Sequence, residues 1–215
     1  ATLEMMDNKV IQAVEASVHA GYPLDAAAVL IIELDGMPDG MDKKAEKISE
    51  ICNRHHVREI RLAKTESERA GLWAGRKGAF GAVARLRPSY MCCDGTVPRT
   101  RLPEALAKVM EVSKKYDVPI GNVFHAGDGN LHPLIMFDER DEEEKERVLK
   151  AGSEILKICA DLGGTISGEH GVGIEKLKET RFIFCEQDLE FARQIKKAFD
   201  PMDLLNPGKM IPEPE

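Results

Sequence analysis

The sequence predicts an α+β sandwich, a mostly antiparallel sheet with helices on one face, continued by a C-terminal helical segment. Three observations predict it. Strand-like runs alternate with stretches that carry apolar residues at i, i+3 and i+4. Turn signals separate them, the sharpest being Asp128-Gly129 between two apolar runs, a hairpin signature. At 215 residues, with 43% hydrophobic and 31% charged side chains, the chain can bury a sizeable core as a soluble domain.

The elements follow in order. Leu3, Met6, Val10, Ala13/Val14 and Ser17 keep helical spacing until Gly21-Tyr22-Pro23 stops it. Opening inside a helix with no basic or apolar leader, the chain reads as a piece of a longer polypeptide. Residues 27–34 predict a buried strand, 39–53 a helix, 57–63 an alternating second strand and 66–83 a helix despite its glycines. Residues 90–97 are strand-like, and 103–116 predict a helix with Leu106, Val109, Met110 and Ser113 inward. Two strands, 120–125 and 131–137, are joined by Gly127-Asp128-Gly129-Asn130. Residues 142–162 predict a long helix with the stripe Val148, Ala151/Gly152, Ile155 and Cys159. A glycine-rich loop, a short helix from Ile174, a last helix over 188–199 and an extended tail complete the chain. That last helix places Leu189, Ala192, Ile195 and Phe199 on one face. At this length residues 1–215 form one large domain or two small fused ones.

Charge and composition exclude some partners. With 37 acidic and 30 basic side chains the formal net charge is −7, and no Lys/Arg-rich stretch offers a nucleic-acid surface. The longest apolar run, residues 26–32, falls far short of the roughly 20 residues of a membrane span. The acidic run over 138–146 reads as the solvated start of a helix. Cys52, Cys92, Cys93, Cys159 and Cys185 are odd in number and contain no CxxC. Reduced thiols in a cytoplasmic protein fit them, and an iron–sulfur cluster does not.

Two segments carry candidate chemistry. If Asp128-Gly129 is the two-residue turn, Gly127 faces Asn130, Ala126 faces Leu131, and His125 faces His132. Opposed residues share a sheet face with Cβ atoms about 4.5–5.5 Å apart, so the two imidazoles could chelate one divalent metal. An ordinary hairpin with two unrelated histidines is the other reading, and spacing leaves both open. The second segment, Gly163 to Gly173, is glycine-rich with Glu169-His170 inside it. Glu169 would complete a His/His/Glu metal shell with positions open for substrate. His170 would be a nearby base, imidazole being the side chain that titrates near neutral pH. A plain connector is the alternative; a phosphate loop lacks its Lys-Ser/Thr here. Arg76, in Leu72-Trp73-Ala74-Gly75-Arg76-Lys77, either clamps a substrate carboxylate or forms an ordinary salt bridge. Leu205-Asn206-Pro207-Gly208-Lys209 reads on physics alone as a helix stop.

Taken together, the segments Phe124–His132, Ser167–Gly173 and Leu205–Lys209 resemble the C-terminal domain of FAD-linked oxidases. D-lactate dehydrogenase, D-2-hydroxyglutarate dehydrogenase and the D subunit of bacterial glycolate oxidase belong to that family. Leu72–Lys77 and Cys93-Asp94-Gly95-Thr96-Val97-Pro98 look most like the last of these. The resemblance runs through the whole chain. It implies a ferredoxin-like cap domain packed on an N-terminal FAD-binding domain that this chain does not contain. It also implies a divalent metal, zinc or manganese, on His125, His132 and Glu169, with His170 as catalytic base and Arg76 on the substrate carboxylate. Asn206 and Gly208 would meet FAD. Related D-2-hydroxyglutarate enzymes carry a polar residue and a lysine where this sequence has Pro133-Leu134 and Met91-Cys92-Cys93. The resemblance therefore implies a small 2-hydroxy acid such as glycolate or D-lactate, oxidised to the 2-oxo acid with hydride passed to FAD. It further implies other glycolate oxidase subunits as partners, an iron–sulfur subunit among them, and a peripheral place at the inner membrane through them. A metal-dependent hydrolase or lyase on the same residues, or a non-catalytic assembly module, are the rival classes.

Overall fold

The computed structural model describes residues 2–214. Among the described residues, seven strands and six α-helices follow one another. They are β1 (Thr2–Asp7), α1 (Asn8–Glu15), β2 (Ala28–Glu33), α2 (Met41–Arg54), α3 (Glu66–Val83), β3 (Ser89–Cys92) and β4 (Gly95–Thr96). Then come α4 (Leu102–Tyr116), β5 (Ile120–His125), β6 (Asn130–Leu131), β7 (Pro133–Phe137), α5 (Glu142–Asp161) and α6 (Glu186–Phe199). The sheet runs β2-β1-β5-β6-β4, with β7 alongside β5 and β3 alongside β7, and every pairing is antiparallel. The α+β class and antiparallel sheet are as expected.

Helices, expected on one face, cover both. Met6, Val123, Leu134 and Met136 pack with α1 and α3. Their strand neighbours Ile120 and Ile135 point the other way and pack with α4 and α5. Side-chain alternation along β5 and β7 puts these two clusters on opposite faces.

The first residues are a strand, not the start of a helix. Leu3, Met6 and Val10 fit a helical period, yet Asp7 ends the strand and caps α1 by accepting the Val10 N–H at 3.0 Å. Its other oxygen accepts the Asn122 N–H at 2.8 Å, tying the cap to β5. The sheet position between β2 and β5 outweighs local periodicity.

Other differences share one cause: a pattern needs a partner. Residues 57–63, expected as a strand, are exposed and irregular, with Arg58 and Arg61 paired to Asp25 and Glu59. The helix expected from Ile174 is a run of turns before a short 3-10 turn at Glu179–Phe182. Helix α6 buries only Leu189, leaving Ile195 and Phe199 of the expected inward stripe exposed. The strands expected over 90–97 and 131–137 each break in two, at Cys93-Asp94 and at His132. Both breaks lie at the site described below.

The loop after α5 presses on β4. A Cβ on Gly164 would sit 1.7 Å from the Thr96 carbonyl oxygen. Gly164→Ala is expected to destabilise the fold by about 1–3 kcal/mol, seen as a lowered melting temperature. An unchanged melting temperature would mean that the loop has room to move away.

Candidate active site

The hairpin that carries the two histidines has a register slipped by two residues. His125 pairs with Asn130, not His132, across a loop of residues 126–129 in which only Gly129 has positive φ. A two-residue slip preserves the sheet face, since side chains alternate with a period of two. His132 therefore lies diagonal to His125 on the same face, and the rings meet edge to face with centroids 5.2 Å apart. The expected pairing was wrong in detail, and the expected meeting of the rings holds.

Each imidazole is fixed by its Nδ1. The His125 Nδ1 lies 2.8 Å from Glu4 Oε1, on the residue directly opposite in β1. The His132 Nδ1 lies 3.3 Å from the Cys93 carbonyl oxygen, which can only accept, so this nitrogen donates. That leaves the His132 Nε2 lone pair 2.8 Å from Glu169 Oε1, an acceptor facing an acceptor unless a proton or a cation lies between. Burial lowers the His132 pKa against the opposing pull of the Cys93 carbonyl and Glu169, which disfavours the proton. His125 Nε2 and His170 Nε2 reach the same Glu169 oxygen at 3.5 and 3.9 Å. Three imidazole nitrogens thus surround one carboxylate oxygen.

Glu169 and His170 are held there by Asp94, which is fully buried. Its carboxylate accepts Ser167 Oγ–H at 2.7 Å and the backbone N–H groups of Gly168, Glu169 and His170 at 2.9 to 3.2 Å. The buried Lys176 Nζ adds an ion pair at 3.2 Å. Successive N–H groups curled around an anion form a nest, here filled by the protein's own carboxylate. Although burial opposes ionisation, these donors and Lys176 hold the Asp94 carboxyl well below the usual carboxylate range. Gly168 packs flat on the Asn130 amide, where a Cβ would approach it to 2.6 Å.

Candidate ligand atoms within 4.8 Å of one another form two groups among the described residues: Cys92, His132 and His170; and Asp94, His132, Glu169 and His170. His125 belongs to neither. The Asp94 carboxylate is already saturated by its donors, and burial pushes the Cys92 thiol up to about 12. What remains free to meet a cation is the Glu169 carboxylate with the surrounding imidazoles, a nitrogen-and-oxygen donor set that could hold a divalent metal.

Arg76 comes from α3, across the cluster. It binds Glu4 Oε2 through Nε and Nη2, both at 2.9 Å, with its side chain 11% exposed. It is thus a buried salt bridge, joined to the imidazole cluster through Glu4 and His125. Phe80, one turn on, lies beneath its guanidinium and against His132. Asn206 and Gly208 both have positive φ and lie exposed in the tail. The Met210 N–H donates to Gly173 O at 2.8 Å, fastening that tail to the end of the His170 loop.

Sequence reasoning missed Glu4, Asp94 and Lys176. Asp94 had a local signal, an Asp-Gly that interrupts a strand pattern, but Glu4 had none, since its role depends on strand pairing.

Comparison with known proteins identifies the family of the chain. Residues 1–210 match the family described as FAD linked oxidases, C-terminal domain. The chain is 48% identical over 210 residues to the glycolate oxidase subunit GlcD of Escherichia coli (strain K12), a match covering 98% of this chain and 42% of that protein. It is 40% identical over 211 residues to the protein of the same name in Bacillus subtilis (strain 168), covering 98% and 45%. The chain therefore spans less than half the length of these relatives. Among solved structures, 4-ethylphenol oxidase from Gulosibacter chungangensis superposes with a TM-score of 0.68 at 14% identity, over 99% of this chain and 48% of that one. That likeness shows the fold alone.

Proposed function

Because this chain belongs to the FAD linked oxidases, C-terminal domain family, we propose that it is the substrate-side domain of a flavin-dependent 2-hydroxy-acid oxidoreductase. The observation that carries this reading is the convergence of three imidazole nitrogens on Glu169, beside a buried arginine. Glycolate or D-lactate is the substrate class, oxidised to the 2-oxo acid. His125, His132 and Glu169 would hold a divalent metal, zinc or manganese, whose Lewis acidity lowers the pKa of the substrate hydroxyl when bound. FAD, bound mainly by a separate N-terminal domain, supplies the hydride acceptor.

This chain's own residues then divide the work. Arg76 orients the substrate carboxylate through the guanidinium edge that Glu4 leaves open. His170 takes the hydroxyl proton. It is the most exposed of the three imidazoles, with 43% of its side chain accessible against 31% for His125 and 2% for His132. Asn206 and Gly208, on the tail fastened to Gly173, approach FAD from the cap side.

The exposed apolar side chains of Phe191, Ile195 and Phe199 on α6 support a covering partner, for which the flavin domain is our choice. Further oxidase subunits, including an iron–sulfur one, complete the assembly. No helix among the described residues is long and apolar enough to cross a membrane. We place the protein in the cytoplasm, peripheral to the inner membrane through its partner subunits.

The test is metal analysis of the full-length enzyme beside Glu169→Gln. Wild type should carry stoichiometric zinc or manganese, and the variant should bind it at least about 100-fold more weakly. Equal metal content in both would sink the Glu169 assignment, and turnover of a substrate without flavin would favour a metal-dependent hydrolase.

A further inference from the structure

Glu4 is a buried carboxylate, 6% exposed, on a strand that contributes nothing else charged to the site. Its two oxygens serve different neighbours: Oε1 lies 2.8 Å from His125 Nδ1, and Oε2 accepts from Arg76 Nε and Nη2 at 2.9 Å. We infer that Glu4 is a positioning residue that sets the metal-binding imidazole of His125 and the carboxylate clamp Arg76 at a fixed mutual distance. The inference rests on the metal reading proposed above and adds a residue to it.

β1 and β5 are antiparallel with Glu4 directly opposite His125, so both side chains rise from one face at neighbouring points. The carboxylate at Nδ1 makes that nitrogen the donor, which leaves the Nε2 lone pair turned toward Glu169 Oε1 at 3.5 Å. Carboxylate–imidazole pairs of this kind fix the tautomer and raise the basicity of a metal-ligating histidine. On the other side, one Glu4 oxygen occupies the Nε–Nη2 edge of Arg76, so an end-on bidentate contact with a substrate carboxylate would use the Nη1–Nη2 end.

A 2-hydroxy acid presents its hydroxyl and its carboxylate on adjacent carbons. An enzyme that reads both needs the two subsites at one spacing. A single glutamate joined to both subsites supplies that spacing, whereas independent supports would let each drift.

Glutamine at this position has the same shape but one acceptor and one donor. With its oxygen on Arg76, its NH2 would face His125 Nδ1 and make that nitrogen the acceptor, which puts the ring proton on Nε2 and removes the lone pair a cation needs. In the full-length enzyme, Glu4→Gln is expected to weaken zinc binding by roughly 10–100-fold in competition with a chromophoric chelator, and to raise KM by a larger factor than it lowers kcat. Because the variant also strands a buried arginine, Glu4→Gln/Arg76→Met serves as the second test. With both charges removed it should fold, melt near the wild type, and show the same roughly 10–100-fold loss of zinc affinity. Zinc affinity within about twofold of wild type in both variants would overturn the role of Glu4 while leaving the metal centre standing. A wild-type enzyme that binds no zinc or manganese would overturn both.

Discussion

Asp94→Asn is expected to be among the most damaging single changes in this domain, removing both activity and about 3–5 kcal/mol of stability. The carboxylate is fully buried and accepts from Ser167, three successive backbone N–H groups and Lys176. An asparagine has the same shape, yet its amide nitrogen would point a donor at a ring of donors. The buried Lys176 ammonium would be left uncompensated. Glu169 and His170 owe their positions to those backbone bonds, so their displacement should lower metal affinity by about 10–100-fold as well. Chemical denaturation and a zinc titration of the full-length enzyme would measure the two losses.

The pH dependence follows from the sign of the shift. The folded-state pKa of Asp94 is lowered, so its stabilisation is complete above the ordinary carboxylate range and is lost progressively as pH falls from there through the folded value. The gap in stability between wild type and Asp94→Asn should therefore be constant at neutral pH and narrow below about pH 4. A gap that stayed the same in strong acid would mean that the carboxylate charge is not what Lys176 and the loop require.

The second large effect is expected of His170→Ala, which should slow single-turnover reduction of the flavin by substrate by about 10²–10⁴-fold. Its ring stacks parallel on His132, with centroids 5.1 Å apart and planes 6° apart, while its outer side remains open. Metal content is the discriminating second readout. His170 lies within ligand distance of His132 and Glu169, so it could serve the cation instead of the proton. Loss of flavin reduction with metal retained identifies a base; loss of both identifies a ligand. Near-normal reduction would end either assignment.

Much of this site was readable before folding was considered. The fold class, the helix over Glu66–Val83 and the strand Ile120–His125 follow from period and turn signals alone. His125 and His132 could be placed together because the Asp-Gly turn constrains their parity, and parity survived a two-residue error in register. Glu169 and His170 stood out because a carboxylate and an imidazole in a glycine-rich loop have no packing reason to be there.

The remainder was decided by contacts between distant segments. Whether residues 57–63 pair, whether α6 buries its stripe, and whether Thr2–Asp7 is a strand depend on which neighbours are available. Sequence by itself determined which chemistry this chain carries: imidazoles, a carboxylate and an arginine, in segments whose local geometry is set by turns and glycines. Tertiary structure alone decided what holds that chemistry in place. Glu4 meets His125 and Arg76 across strand and helix, and Asp94 reaches a loop more than seventy residues away. The physical reason is that burial, not sequence proximity, turns an ordinary carboxylate into one that must satisfy every one of its partners.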